Sequence, residues 1–223
     1  MCGRFALYSD PFSLAKRFEA EALPELRPRY NVAPSQNIPI VREESGARRF
    51  ALARWGLIPH WAKDTKIGYH TINARAETVA SKPAFRNAFK HRRCLIPADG
   101  FYEWQVMPDS KIKQPWFIVL RDREPMAFAG LWEQWQSSEG EELESCSIIV
   151  TDANEIMRPI HDRMPVILAP GDWGAWLETD AKDAGYLQSL LKPYPAEGME
   201  AWPVSTKVNS PRNDSVECME APY

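Results

Sequence analysis

Trp116-Phe117-Ile118-Val119-Leu120, Met126-Ala127-Phe128-Ala129-Gly130-Leu131-Trp132 and Ser145-Cys146-Ser147-Ile148-Ile149-Val150-Thr151 are three apolar runs in close succession. Each is rich in β-branched or aromatic residues, and polar turns separate them. Such spacing predicts strands over Trp116–Arg121, Met126–Trp132 and Ser145–Thr151. Ser137–Glu144 is then an acidic hairpin loop and not a domain linker. Cys94–Ala98, just upstream, has the same character and predicts a further strand.

Toward the N-terminus, Ile38–Arg42 and Arg49–Trp55 read as strands joined by the polar turn Glu43–Gly46. Asp10 followed by Pro11 is an N-cap and first helical residue, opening a helix through about Leu23 with Phe12, Ala15, Phe18 and Ala22 as its apolar stripe. Arg29–Pro34 reads as a turn-rich loop, and Gly56–Lys66 as a loop that exposes Pro59, His60 and Trp61. Ser81, Pro83 and the pair Phe85/Phe89 mark a short amphipathic helix through about His91. Toward the C-terminus, Asp152 can cap a short helix that stops at Arg158-Pro159. Val166–Leu168 is a strand, Asp172–Leu177 and Ala181–Leu191 are helical, and Glu200–Val204 returns to the sheet. The tail after Ser210 has no strong pattern, and there is no internal repeat. The expected fold is α+β: a single domain over 1–223, with a largely antiparallel, barrel-like β-sheet core and flanking helices.

The 223 residues are enough to bury a core, and 44% hydrophobic with 26% charged residues suits a soluble globular chain. Arg4, Asp10, Lys16 and Arg17 interrupt any signal-peptide core, and no apolar run reaches the length of a membrane span. Cys2, Cys94, Cys146 and Cys218 lack metal-ligand spacing, so reduced thiols, a cytoplasmic location and no metal or cofactor are expected. The net charge of −3 conceals an asymmetry. Residues 1–100 carry 17 Lys/Arg against 9 Asp/Glu, and residues 101–223 carry 10 against 21. Between Thr78 and Ala98 there is no acid, while Lys82, Arg86, Lys90, Arg92 and Arg93 fall there. A basic half suits an anionic partner such as a nucleic-acid backbone.

Cys2 follows the initiator methionine and is small enough for that methionine to be removed. The chain would then begin with a 1,2-aminothiol, which an internal cysteine cannot be. An aldehyde can form a Schiff base with the amine and then take the thiol, closing a five-membered thiazolidine. An α-amine with a pKa of about 8 is roughly 10% free at pH 7, against roughly 0.04% for a lysine. Three further segments combine reactive and turn residues: Ile72-Asn73-Ala74-Arg75-Ala76-Glu77, Ala98-Asp99-Gly100-Phe101-Tyr102-Glu103-Trp104 and Ile160-His161-Asp162-Arg163-Met164-Pro165. Each flanks a predicted strand, so loops can gather Cys2, Asn73, Glu103 and His161 at one end of the sheet. Thiol, amide, carboxylate and imidazole together form an acid–base set.

With Arg29-Tyr30-Asn31-Val32-Ala33-Pro34 and Trp55-Gly56-Leu57-Ile58-Pro59, these segments make the chain resemble the SOS response-associated peptidase (SRAP) family over roughly residues 2–210. The resemblance implies covalent capture of abasic sites in single-stranded DNA in the DNA damage response, with Cys2 as the residue crosslinked. It places Asn73 on the adduct and gives proton handling to Glu103 and His161. Arg4 and Arg75 are implied at phosphates and Pro39 and Trp61 at splayed or stacked nucleotides. Asn31, Arg86, Thr151 and Arg163 complete the expected DNA-binding set, and Met164 matches no contact. Self-removal of Met1 and abasic-site lyase activity are further implied. The expected protein is a monomer, cytoplasmic and nucleoid-associated if bacterial, with no membrane partner. Three other readings stay open on the residues alone. One is an N-terminal-nucleophile amidohydrolase, which also begins Met-Cys-Gly. Another is a papain-like peptidase using Cys2, His161 and Asn73, and the third is a nucleic-acid-binding module with an inert Cys2.

Overall fold

In the computed structural model, which describes residues 2–21, 25–108, 112–178 and 183–221, the second and third apolar runs of the middle sequence become walls of a closed barrel, and the first joins a separate sheet. The first elements are β1 (Phe5–Leu7), α1 (Pro11–Phe18), β2 (Ala20–Glu21), β3 (Arg29–Val32), β4 (Asn37–Glu44), β5 (Ala47–Trp55), β6 (Asn73–Arg75) and α2 (Arg86–His91). They are followed by β7 (Arg93–Ala98), β8 (Gly100–Gln105), β9 (Gln114–Leu120), β10 (Met126–Gln136) and β11 (Glu142–Asp152). The chain closes with β12 (Arg163–Pro165), β13 (Ile167–Leu168), α3 (Trp173–Leu177), α4 (Ala184–Ser189) and β14 (Met199–Pro203). The fold is α+β and its pairings are mostly antiparallel.

β11, β10, β7, β4 and β5 are neighbours in that order, and a parallel pairing of β5 with β11 (Arg54 with Ser145, Trp55 with Cys146) closes the ring. The β4–β5 hairpin turns at Ser45 and Gly46, with φ of 53° and 79°. Two residues at positive φ match the right-handed twist of the flanking strands. A second sheet has the order β14-β9-β8-β1-β3. The two sheets share one stretch of chain, since β7 runs into β8 with only Asp99 between them. Asp99 is 5% exposed, and its carboxylate accepts hydrogen bonds from the Tyr8 and Ser9 amides and the Ser9 hydroxyl. It therefore pins the corner where the chain leaves β1.

Aromatic rings lock the N-terminus between the sheets. Phe5 lies 5.3 Å from Trp55 and 6.1 Å from Phe128, ring centre to ring centre, and Phe101 lies 6.0 Å from Phe128. All four are completely buried, and each such ring contributes about 1.5–3 kcal/mol by leaving water. Close approach also fixes Gly100. A Cβ there would sit 2.3 Å from the Phe117 ring and 2.8 Å from the Ile118 carbonyl, so β8 can lie against β9 only without a side chain at this position.

Several expectations are corrected. Arg29–Val32 is a strand on β1, not a loop. Phe5–Leu7, Asn73–Arg75 and Gly100–Gln105 are strands too short or too polar to show in the pattern. Asp10 does cap α1, accepting from the Phe12 and Ser13 amides at 3.0 Å. The helix nevertheless stops at Phe18, because Glu19 turns left-handed (φ 52°) and Ala20–Glu21 pairs with β5. Ala22 and Leu23 lie outside the described residues. Leu14 and Phe18 form the buried face, while Phe12 is 74% exposed. Asp152 ends β11 instead of capping a helix, and turns occupy the residues up to Ile160. There Asn154 accepts from the Met157 amide at 3.0 Å. Ala181 lies outside the described residues, and α4 begins at Ala184 under an Asp183 cap.

Candidate functional site

β1 and β8 pair antiparallel, Phe5 opposite Phe101, and the Tyr102 amide donates to the Arg4 carbonyl at 3.0 Å. Continuing that register by one residue sets Glu103 alongside the Cys2-Gly3 peptide. Cys2 is completely buried and Glu103 is 2% exposed. The two groups feel each other: burial pushes the Cys2 thiol up, and the Glu103 charge pushes it further.

Asn73 and His161 arrive from either side of β11. β10 and β11 pair up to Gly130 and Ile148 and then diverge, and residues 163–168 enter the gap. Within it the Val166 amide donates to Ile149 and the Ala129 amide donates to Val166, both at 2.9 Å. On the opposite edge β6 runs parallel to β11, with Asn73 beside Ile148 and Arg75 beside Val150. The end of β8 joins the same region, because Gln105 donates to the Pro159 carbonyl at 3.0 Å. Both polar atoms of the Asn73 side chain are shut off from solvent and make no hydrogen bond among the described residues. A buried amide without partners costs about 1–3 kcal/mol per group, so this side chain carries unmet hydrogen-bonding capacity inside the fold.

His161 is tautomerically defined. Its Nδ1 lies 3.1 Å from the Arg163 amide, which donates to it, and 2.9 Å from an Asp162 carboxylate oxygen. One nitrogen cannot accept from an amide and donate to a carboxylate at once. The Asp162 side chain is 85% exposed, so the backbone donor is the better-fixed partner and the ring proton belongs on Nε2. Burial and the positive amino terminus press the His161 pKa down, against Asp162, so a neutral ring with an Nε2 proton is the resting form.

Burial raises the Glu103 pKa from 4.5 to about 7, opposed by the amino-terminal charge. At neutral pH this carboxyl is shared between its acid and base forms. The folded state keeps the proton up to about 7, whereas the unfolded chain releases it near 4.5. Stability is therefore lost as pH rises through that window, by about 3 kcal/mol once the group is fully ionised. Urea unfolding at pH 5 and pH 8 should show this loss in the wild type and not in Glu103→Gln. Parallel pH dependence of the two proteins would mean that the carboxyl is not desolvated.

The remaining expected contacts are placed as follows. Arg4 is half-buried beside Cys2, and Arg163 is held by Glu77 and, at 3.2 Å, by Asp152. Arg75, Arg86 and Trp61 are exposed, Trp61 at 52%, the last in the loop after Gly56. Gly56 has φ 128°, and a Cβ there would stand 2.5 Å from the Gly68 carbonyl, so the base of that loop is a close backbone crossing. Pro39 lines a separate, mainly apolar groove of about 570 Å³ with Leu26, Ile38 and Leu52. Asn31 and Thr151 are buried, with side chains bonded inside the protein. Met164 is completely buried in the core. Cys2, Glu103, Asn73 and His161 thus sit on adjoining elements, while Pro39 lines a groove apart from them.

The sequence profile of the SOS response associated peptidase (SRAP) family matches residues 1–211. The chain belongs to the SRAP family. Abasic site processing protein YoaM of Bacillus subtilis (strain 168) is 51% identical over 99% of this chain and 98% of its own length. Abasic site processing protein HMCES of Xenopus tropicalis is 35% identical over 87% of this chain and 66% of its own. A crystal structure of a protein from Bacteroides thetaiotaomicron superposes with a TM-score of 0.90 at 28% identity, over 100% of both chains. Another, from Bordetella bronchiseptica, superposes with a TM-score of 0.79 at 30% identity, over 92% of this chain and 100% of its own.

Sequence reasoning missed some of the residues beside Cys2 in this SRAP chain. Trp104, Lys113 and Asn209 line, with Gly3 and Arg4, an open groove of about 510 Å³ next to Cys2. Trp104 stood in a quoted segment and its neighbour Glu103 drew the attention; Asn209 lies just ahead of the patternless tail. Among the described residues no cluster of three His, Cys, Asp or Glu side chains is arranged to hold a metal, and no helix is long and apolar enough to cross a membrane.

Proposed function

We propose that this SRAP chain senses abasic sites in single-stranded DNA and traps them covalently, through Cys2 freed of Met1. Its relatives bear the name abasic site processing protein. The observation that carries the chemistry is the buried Cys2 beside Glu103, a buried carboxyl that desolvation holds above the usual carboxylate range. The abasic sugar opens to an aldehyde. The Cys2 amine attacks C1′, and loss of one water leaves an imine. The thiol sulfur then bonds to C1′ while its proton passes to the imine nitrogen, closing the thiazolidine. Glu103 is poised to relay protons in the dehydration, His161 to offer its Nε2 proton to the sugar, and Asn73 to hydrogen-bond the adduct without titrating.

Ring closure is intramolecular and so has a high effective concentration. It removes the iminium that would drive β-elimination and cut the strand, so protection is the main outcome and lyase cleavage the minor one. The peptidase activity in the family name is here a single self-removal of Met1. A papain-like peptidase acting in trans fits poorly, since burial raises the Cys2 thiol and lowers His161, the reverse of a thiolate–imidazolium pair. The whole chain works as one domain and a monomer, in the cytoplasm and on the nucleoid if bacterial, without metal or cofactor.

The test mixes the mature protein with a single-stranded oligonucleotide carrying one abasic site, followed by a denaturing gel and intact-mass analysis. A heat-stable band with the mass of protein lacking Met1 plus DNA minus one water is expected. No adduct from a verified Cys2 terminus would overturn the reading.

A further inference from the structure

Arg4 reaches its place beside Cys2 by leaning on the far end of the chain. One terminal nitrogen of its guanidinium donates to the Asn31 side-chain oxygen at 2.7 Å and to the Val208 carbonyl at 2.8 Å. The cation lies over the Trp104 ring, 5.7 Å from its centre, in the groove next to Cys2. Its Nε is shut off from solvent and has no acceptor, and its other terminal nitrogen makes no hydrogen bond among the described residues. With Nε enclosed, the other terminal nitrogen is the donor left to meet a phosphate oxygen.

Asn31 is the hinge of this arrangement. It is completely buried, and while its oxygen holds Arg4, its nitrogen donates to the carbonyls of Val208, Ser210 and Asn213 at 3.2, 3.0 and 2.7 Å. Asp214 fixes the backbone of the same strand, accepting from the Asn31 amide at 2.9 Å, the Tyr30 amide and the Arg29 side chain. Asn209 accepts from the Trp104 indole at 2.7 Å. The tail that supplies these groups is itself anchored: Val208 and Cys218 are buried against Tyr102 and Phe117, and the Ser205 amide donates to Glu220 at 3.2 Å.

We propose that residues 205–221 are a strap that positions Arg4 to receive a backbone phosphate of the captured strand, with Asn31 and Asp214 as positioning residues. The proposal rests on the reading of the chain as a single-stranded DNA binder. It also gives Asn31 a place behind the contact surface. The residues matched by the family profile end at 211, so Val208, Asn209 and Ser210 lie inside the match and Asp214 just beyond it.

The experiment uses the full chain and an intact single strand without an abasic site, so that binding is read apart from capture. Affinity is measured by anisotropy across a salt series for wild type, Arg4→Ala, Asp214→Ala, Asn31→Ser and Arg4→Ala/Asp214→Ala. Losing one phosphate contact makes the log–log salt slope shallower by about 0.7 for a single strand. That change, with about tenfold weaker binding, is expected for each single variant, and the double variant should match Arg4→Ala. A lowered melting temperature with the wild-type slope would make the strap a structural element only. Should Asp214→Ala fail to fold, Asn31→Ser decides by the same slope, since it leaves the Asp214 anchor intact. An unchanged slope in Arg4→Ala also overturns the proposal. Failure of the wild type to crosslink abasic DNA, with these binding changes present, would instead count against the capture reading alone.

Discussion

Cys2→Ala should yield no heat-stable adduct with abasic single-stranded DNA, a loss of at least about a thousandfold in trapped product. The variant keeps an α-amine, because alanine is also small enough for Met1 to be removed. Imine formation can therefore proceed, but nothing captures the imine. It returns to aldehyde by hydrolysis or loses the 3′ phosphate by β-elimination, so a cut strand replaces the protected one. Adding a borohydride reductant should rescue a covalent band in Cys2→Ala, since reduction traps the imine where the thiol no longer can. The complementary form keeps the thiol and blocks the amine by acetylation of the Cys2 α-nitrogen. It should give no band with or without the reductant. Stable crosslinking by Cys2→Ala would transfer the chemistry to another residue, and crosslinking by the blocked form would make the thiol alone sufficient.

How much of this was legible in the sequence follows from what local pattern can carry. The strands β4, β5, β7, β10 and β11 announce themselves through alternation and β-branched runs, so the barrel was readable. β1, β6 and β8 are three to six residues long, and their identity depends on the strands they join. β6 holds Asn73, β8 holds Glu103 and β1 follows directly on the Cys2 segment, so the site residues could be picked by chemistry but not placed. Glu103 shows the gap most clearly. Between Tyr102 and Trp104 it reads as either surface or site, and only the fold leaves it 2% exposed. Asn31 fails in the other direction. Its motif drew attention to it, but its partners are carbonyls about 180 residues further along the chain, a separation no local pattern encodes.

Glu103→Gln should slow crosslinking by about 10²- to 10⁴-fold at neutral pH while leaving affinity for an intact single strand unchanged. The rate loss follows from the carboxyl pKa of about 7, which lets one group give a proton to the departing hydroxyl and regain it within one turnover. An amide is isosteric but cannot titrate. The unchanged affinity follows from burial, because a side chain 2% exposed offers little to DNA that passes over the surface. The pH profile separates proton transfer from mere packing. Wild-type rate is the product of two fractions: the free α-amine, which grows up to a pKa of about 8, and the protonated carboxyl, which falls above about 7. Their product peaks between those values. In Glu103→Gln the descending limb disappears, leaving a low rate that only rises with pH as the amine is freed. A variant that keeps the wild-type rate would remove Glu103 from the proton relay. One that keeps the bell shape at reduced height would show that the descending limb belongs to another group, with His161 the next to be replaced.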